Sequence, residues 1–187
     1  MKQVKNLHIK TKEGFEIRNL KRFPSMEWGE EGGLEAEVYL DGENLGTLYQ
    51  AGNGGCASFT YPNAEAYKKI AEKGIVFLQR VDKAYGPNSP YDWLKKKTAK
   101  SFDDDDIEAI VTTIEERYDD VAVVKKLFKK GYKAVALLKN DHSTHYLQYH
   151  VVDITLPEVT AWLKKNKMLK EYPTIEIIRA TDNLAIL

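Results

Sequence analysis

His142, His145 and His150 fall within nine residues beside Tyr146 and Tyr149, and side chains of these types move protons. A histidine can deprotonate an RNA 2'-hydroxyl while a tyrosine or lysine steadies the phosphorane that forms. His142, His145, Tyr146 and Tyr149 are therefore the candidate catalytic residues of a metal-independent endoribonuclease acting on structured RNA. Strand geometry works against them, because side chains alternate along an extended chain. His145 and Tyr149 share one face; Tyr146 and His150 share the other. The segment also lacks the cysteine, histidine or carboxylate spacing that zinc takes, so neither a metal nor a cofactor is expected. Cys56 follows Gly52-Asn53-Gly54-Gly55. A thiol there could act as a nucleophile if a histidine activated it, while a small buried residue opening a strand is the plainer reading. The glycines lead into an apparent strand, whereas a phosphate cradle leads into a helix.

Charge is the second source of candidates. Lys plus Arg and Asp plus Glu are 28 each, so no global field steers a partner. The local balance differs. Residues 26 to 67 contain no Lys or Arg, yet hold Glu27, Glu30, Glu31, Glu35, Glu37, Asp41, Glu43 and Glu65; residues 1 to 25 hold seven bases against two acids. A carboxylate-studded sheet repels nucleic acid and complements basic grooves of proteins that hold it. Glu27, Glu30, Glu31, Glu35, Glu37, Asp41 and Glu43 are thus candidate partner-binding residues, with a solvated strand face as the bland alternative. Lys95, Lys96, Lys97, Lys125, Lys126, Lys129 and Lys130 are candidate nucleic-acid contacts, although solvated helix faces explain each cluster and no aromatic stacking motif is interleaved. Asp103 to Asp106 stand at a helix start, where capping explains them better than a divalent cation does.

Positioning these residues requires an α+β fold: an antiparallel N-terminal sheet, then an α/β-mixed C-terminal half with helices packed on strands. Strands are expected at Leu7–Thr11, Phe15–Phe23, Glu35–Leu40, Leu45–Gln50 and Ala57–Tyr61, with Asp41-Gly42 as the hairpin turn. Pro62 suits the first turn of a helix that ends at Gly74. Residues 75 to 81 read as a strand or a second helical stretch. Ser101–Tyr118 carries an apolar stripe at helical spacing, and a further helix runs from Asp120 to Lys130 and closes at Gly131. Lys133–Lys139 and Thr144–Val152 read as paired strands, Pro157 opens a helix to about Lys167, and Thr174–Ala180 is a last strand. Tyr67–Gly74 and Val124–Gly131 share a grammar that an internal duplication would leave. Loop composition at Tyr85–Pro90 suggests an N-terminal lobe, 1–85, and a C-terminal lobe, 91–187, with a single compact domain as the alternative.

At 43% apolar residues the chain can bury a core. One cysteine permits no internal disulfide, and neither a signal peptide nor a membrane span is evident, so a cytoplasmic location is expected. Leu7-His8-Ile9-Lys10-Thr11 through Trp28-Gly29-Glu30-Glu31-Gly32-Gly33, in a small chain without an enzyme signature, resembles accessory proteins of Gram-positive phages and plasmids, a group that includes anti-CRISPR proteins. The resemblance implies action against a nucleic-acid-targeting enzyme, by docking on the effector or by damaging its guide RNA. The leading expectation is a small inhibitor or modulator that binds a nucleic-acid-handling protein such as a CRISPR effector. The alternatives are the ribonuclease, and a scaffold that binds one protein through Trp28, Trp93 or Trp162.

Overall fold

Alternation of apolar and polar residues builds the first sheet. Phe15, Ile17 and Leu20 of β2 (Phe15–Arg22), Leu34, Ala36, Val38 and Leu40 of β3 (Leu34–Leu40), and Leu45 and Leu48 of β4 (Glu43–Gln50) are all buried. The residues between them form the opposite, wetter face. With β1 (Val4–Lys5) and β5 (Ser58–Thr60) these strands make an antiparallel sheet in sequence order, β1-β2-β3-β4-β5. The computed structural model describes residues 4–5, 7, 9–24, 32–52, 55–85, 97–140, 144–150 and 152–184. Two irregularities preserve the in-and-out pattern. The β2–β3 register shifts between Arg18 and Lys21, where Asn19 has φ 52°, and the β3–β4 register shifts between Val38 and Tyr39. Each extra residue keeps Leu20 or Leu45 in the core instead of turning it out to water.

The expected strand 7–11 does not coincide with β1, which lies ahead of it at Val4–Lys5. Leu7 and Ile9 are buried, the Leu7 N–H donates to the Ile17 carbonyl, and Lys10 makes only an isolated bridge to Glu16. Thr11 closes the following turn, because its Oγ1 accepts the Phe15 N–H at 3.0 Å.

Helix α1 (Ala64–Tyr85) begins one residue after Asn63, whose Oδ1 accepts the Ala66 N–H. Asn63 is therefore the cap, and Pro62 precedes the helix. Gly74 does not end it. Ala66, Ile70, Ala71, Gly74, Ile75, Phe77, Leu78 and Val81 form one buried stripe, so residues 75 to 81 continue the same helix. A Cβ at Gly74 would come within 2.7 Å of the Phe102 ring and 2.9 Å of Ile110 Cδ1. The glycine is there for close approach.

Helix α2 (Asp104–Lys129) fuses the two helices expected at 101–118 and 120–130. The helix is unbroken although its buried apolar residues, Ile107, Ile110, Val111 and Ile114 and then Val121, Val124 and Leu127, are separated by half-buried Arg117 and Tyr118. Asp103 caps the start: its Oδ1 accepts the Asp106 N–H, and Asp106 Oδ2 accepts the Asp103 N–H at 2.8 Å. Gly131, at φ 96°, closes the end, where the Gly131 N–H donates to the Phe128 carbonyl. Gly74 in mid-helix and Gly131 beyond a helix end are different structural positions, so the shared grammar of 67–74 and 124–131 does not reflect a repeated structure.

The chain divides into two compact units. The first comprises Met1–Lys83, Tyr91–Tyr118 and Leu184–Leu187, and the second Ala84–Pro90 and Asp119–Asn183, so α2 contributes to both. In the first, Arg22 reaches from β2 to Glu115 of α2, and Arg80 of α1 holds Glu13 through two 2.8 Å bonds. The Glu13 side chain is only 8% exposed. Burial works to raise its pKa, but the Arg80 hydrogen bonds prevail and hold it below the usual 4.5. A depressed carboxylate pKa stabilises the fold above the unfolded value, and that contribution is lost as pH falls through the folded one. Glu13→Gln is expected to cost about 2 kcal/mol at neutral pH, with the deficit closing in acid. Urea unfolding at neutral and at acid pH measures both.

In the second unit β6 (Ala134–Lys139) lies between β7 (Thr144–Tyr149) and β8 (Thr174–Arg179), both antiparallel to it. β7 ends at Tyr149, not Val152. Helix α3 (Leu156–Lys165) packs Val159 and Leu163 against Ala134, Ala136 and Leu138 on one face of β6. Glu158 accepts the Thr155 N–H at 2.6 Å and fixes the start of α3; the helix ends at Lys165, two residues short of the expected Lys167, because Asn166 caps it and Lys167 turns to φ 59°. The two antiparallel sheets and three helices of the described residues are an α+β fold. Among the described residues no helix is long and apolar enough to cross a membrane.

Candidate functional site

Glu16, Arg18, Lys21, Glu35, Glu37, Tyr39 and Tyr49 lie on the wet face of β2, β3 and β4, brought together by register. Arg18 is opposite Glu37, Glu16 opposite Tyr39, and Lys21 and Tyr49 flank Glu35 on either side. The basic run of residues 1 to 25 and the acidic run after it are thus neighbouring strands, and their opposed charges meet as cross-strand pairs. Sequence reasoning treated the runs as separate fields because it read β2 for its apolar residues and did not carry the charges across the hairpin.

Each described acidic candidate has a contact. Glu35 pairs with Lys21, Asp41 with Lys10 at 3.1 Å, and Glu43 with Lys69 at 2.9 Å. Glu37 accepts from the Tyr39 hydroxyl at 3.1 Å. Hydrogen bonding to Glu43 raises the Lys69 pKa. The Arg18 guanidinium lies 4.0 Å over the Tyr39 ring and donates to Glu16 at 3.0 Å, and its pKa is raised, chiefly by the Glu16 bond. Asp41 and Glu43 remain 67% and 59% exposed beside half-exposed lysines, so solvent weakens these pairs and leaves them open to exchange. Phe23 packs against Tyr49, itself exposed on the same face. Glu27, Glu30 and Glu31 lie outside the described residues.

The aspartates at the start of α2 form a second cluster. Lys97 bridges Asp103 at 2.7 Å and Asp106 at 2.8 Å, and Asp106 is fully buried. Burial raises the Asp106 pKa despite the lysine; for Asp103 burial also acts upward, but Lys97 and the Asp106 N–H prevail and lower it. Asp104 Oδ2 accepts the Phe59 N–H of edge strand β5 at 2.9 Å. These carboxylates cap a helix and cover a sheet edge. Among the described residues no group of three or more metal-ligating side chains is assembled.

Lys97 is therefore engaged in ion pairs. Lys125, Lys126, Lys129 and Lys130 are exposed in and after the last turn of α2, where cations complement the helix dipole. Lys95 and Lys96 lie outside the described residues, as do His142, Trp28 and Trp93.

The other catalytic candidates do not converge. His145 Nδ1 bonds the hydroxyl of buried Tyr172 at 2.9 Å on the α3 side of the second sheet. Tyr149 is half-buried in the same core, where burial and nearby Glu158 raise its pKa. Tyr146, on the opposite face, donates to Asp120 at 2.9 Å. Burial, then the Asp120 charge, hold its phenol far above the usual 10.0. His150 packs on Tyr132 beyond the end of β7. Cys56 is exposed rather than buried, and Trp162 is 40% exposed on α3. No family model, curated protein or solved structure matches this chain.

Proposed function

We propose that this protein is a small binding module that inhibits or modulates a nucleic-acid-handling protein, such as a CRISPR effector, through the wet face and hairpin tip of its N-terminal sheet. One observation carries the reading: carboxylates and tyrosines are arrayed across three strands, with intramolecular cations that are a third to a half exposed. Such pairs contribute little to folding. A partner with a basic groove can therefore exchange its own cations for Lys10, Lys21 and Lys69 at small cost, and the encounter is faster at low salt. Duplex or single-stranded nucleic acid is the poorer fit to this face, because phosphates would meet Glu16, Glu35 and Glu37.

Glu35→Lys, Glu37→Lys and Asp41→Lys together are expected to abolish capture of the partner. Affinity capture of the wild type and the triple variant from host cells, read by mass spectrometry at low and high salt, measures this. A nucleic-acid-handling protein held by the wild type at low salt and absent with the variant is the expected result. Equal capture by both would remove the face from consideration.

A further inference from the structure

The wet face of the N-terminal sheet contains a place shaped for a planar cation. The Tyr39 ring forms its floor, with the Arg18 guanidinium carbon 4.0 Å from the ring centroid. Glu16 Oε2 receives a guanidinium N–H at 3.0 Å. Glu37 faces Arg18 across the β2–β3 ladder and is oriented by the Tyr39 hydroxyl at 3.1 Å. An aromatic face flanked by two carboxylates selects guanidinium over ammonium, because a flat delocalised cation stacks and bonds at its edge together.

Arg18 is held loosely in this setting. Its side chain is 43% exposed on the wet face, and the carboxylate it bonds, Glu16, lies two residues away on the same strand. We infer that Tyr39, Glu16 and Glu37 form an arginine-binding subsite, with Arg18 as a resident occupant that an arginine of the partner displaces. The inference rests on the binding face proposed above and specifies the partner's chemistry there as an exposed arginine. Exchange of one guanidinium for another preserves the stacking and the ion pair to Glu16, and releases Arg18 to water. A self-occupied site binds more weakly by the fraction of time it is vacant.

Oligo-arginine and oligo-lysine peptides of equal length, titrated calorimetrically into the full chain at low salt, test this. The wild type is expected to prefer the arginine peptide several-fold. Arg18→Ala empties the subsite and should tighten the arginine peptide by about five- to tenfold. The same change should tighten the lysine peptide less, through the lost positive charge alone. Tyr39→Leu, which leaves charge unchanged, should erase the arginine preference, while Tyr39→Phe, which keeps the ring, should retain it. Thermal unfolding followed by circular dichroism confirms that each variant is folded. Equal binding of the two peptides, or an arginine-to-lysine ratio indifferent to both Arg18→Ala and Tyr39→Leu, would overturn the subsite. If both peptides bind without preference and are lost together in the Glu35, Glu37 and Asp41 triple variant, the subsite fails and the binding face stands. If neither peptide binds, the subsite fails, and partner capture decides the face separately.

Discussion

Replacing Gly74 by valine is expected to destabilise the protein by about 2–3 kcal/mol, seen as a lower urea midpoint with an unchanged slope. Gly74 is buried in the middle of α1. Its missing Cβ would come within 2.7 Å of the Phe102 ring, and Phe102 is itself 5% exposed. The ring cannot swing away freely, because the neighbouring Tyr67 donates its hydroxyl to the Phe102 carbonyl at 2.7 Å and packs edge-on against the ring. Glycine is the poorer helix former, so valine returns a few tenths of a kcal/mol in propensity. Overpacking outweighs that gain. Lys73→Val, on the exposed side of the same turn, adds the same branched side chain without overpacking and is expected to shift stability by less than about 0.5 kcal/mol. Equal midpoints for the two variants would show that α1 does not approach Phe102 this closely.

Gly74 also shows where sequence reasoning stops. A glycine after Lys73 and before an apolar run has the form of a helix end, and the alternative, a glycine admitting a neighbouring aromatic ring, depends on Phe102, a residue 28 positions away. Local grammar carries no such information. The gap between the two helices expected at 101–118 and 120–130 has the same origin: Asp119 and Asp120 read as a polar break, yet Asp120 is buried against β6 and β7 residues. By contrast, β3 and β4 were legible, because an alternating pattern and an Asp41-Gly42 turn specify a hairpin within a dozen residues. The same holds for the β6–β7 pairing and for the start of α3, which Pro157 marked. The candidate binding face was legible in its residues but not in its electrostatics. Glu35 and Glu37 stood out by composition, whereas their opposition to Lys21 and Arg18 is a matter of register, shifted by one residue at the Asn19 bulge.

Asp120→Ala is expected to be the most damaging single change in the second unit, at about 3 kcal/mol. Asp120 is 5% exposed and receives two groups from the face of the sheet opposite α3: the Tyr146 hydroxyl at 2.9 Å and the Lys139 ammonium at 2.5 Å. Lys139 is only 19% exposed, so removing the carboxylate strands a cation that water cannot fully reach, together with a phenol that loses its acceptor. Tyr146→Phe deletes one hydroxyl and leaves the ion pair, and should cost about 1 kcal/mol. The two variants also differ in their response to alkali. The folded Tyr146 pKa lies above the usual 10.0, so its contribution is present below the unfolded value and is lost as pH rises through it toward the folded one. Wild-type stability should therefore fall above about pH 10 more steeply than that of Tyr146→Phe. Tyrosinate absorbance should show several phenols of the wild type titrating late, Tyr149 and Tyr67 among them, with the latest, absent from Tyr146→Phe, titrating earlier in Asp120→Ala. If the phenol that disappears in Tyr146→Phe titrates equally late in Asp120→Ala, burial alone holds it and α2 is not pinned to the sheet through this carboxylate. A hydroxyl already donated to a buried carboxylate has no proton to offer a phosphorane, so the contact that anchors α2 occupies the donor that the Tyr146 candidate role requires.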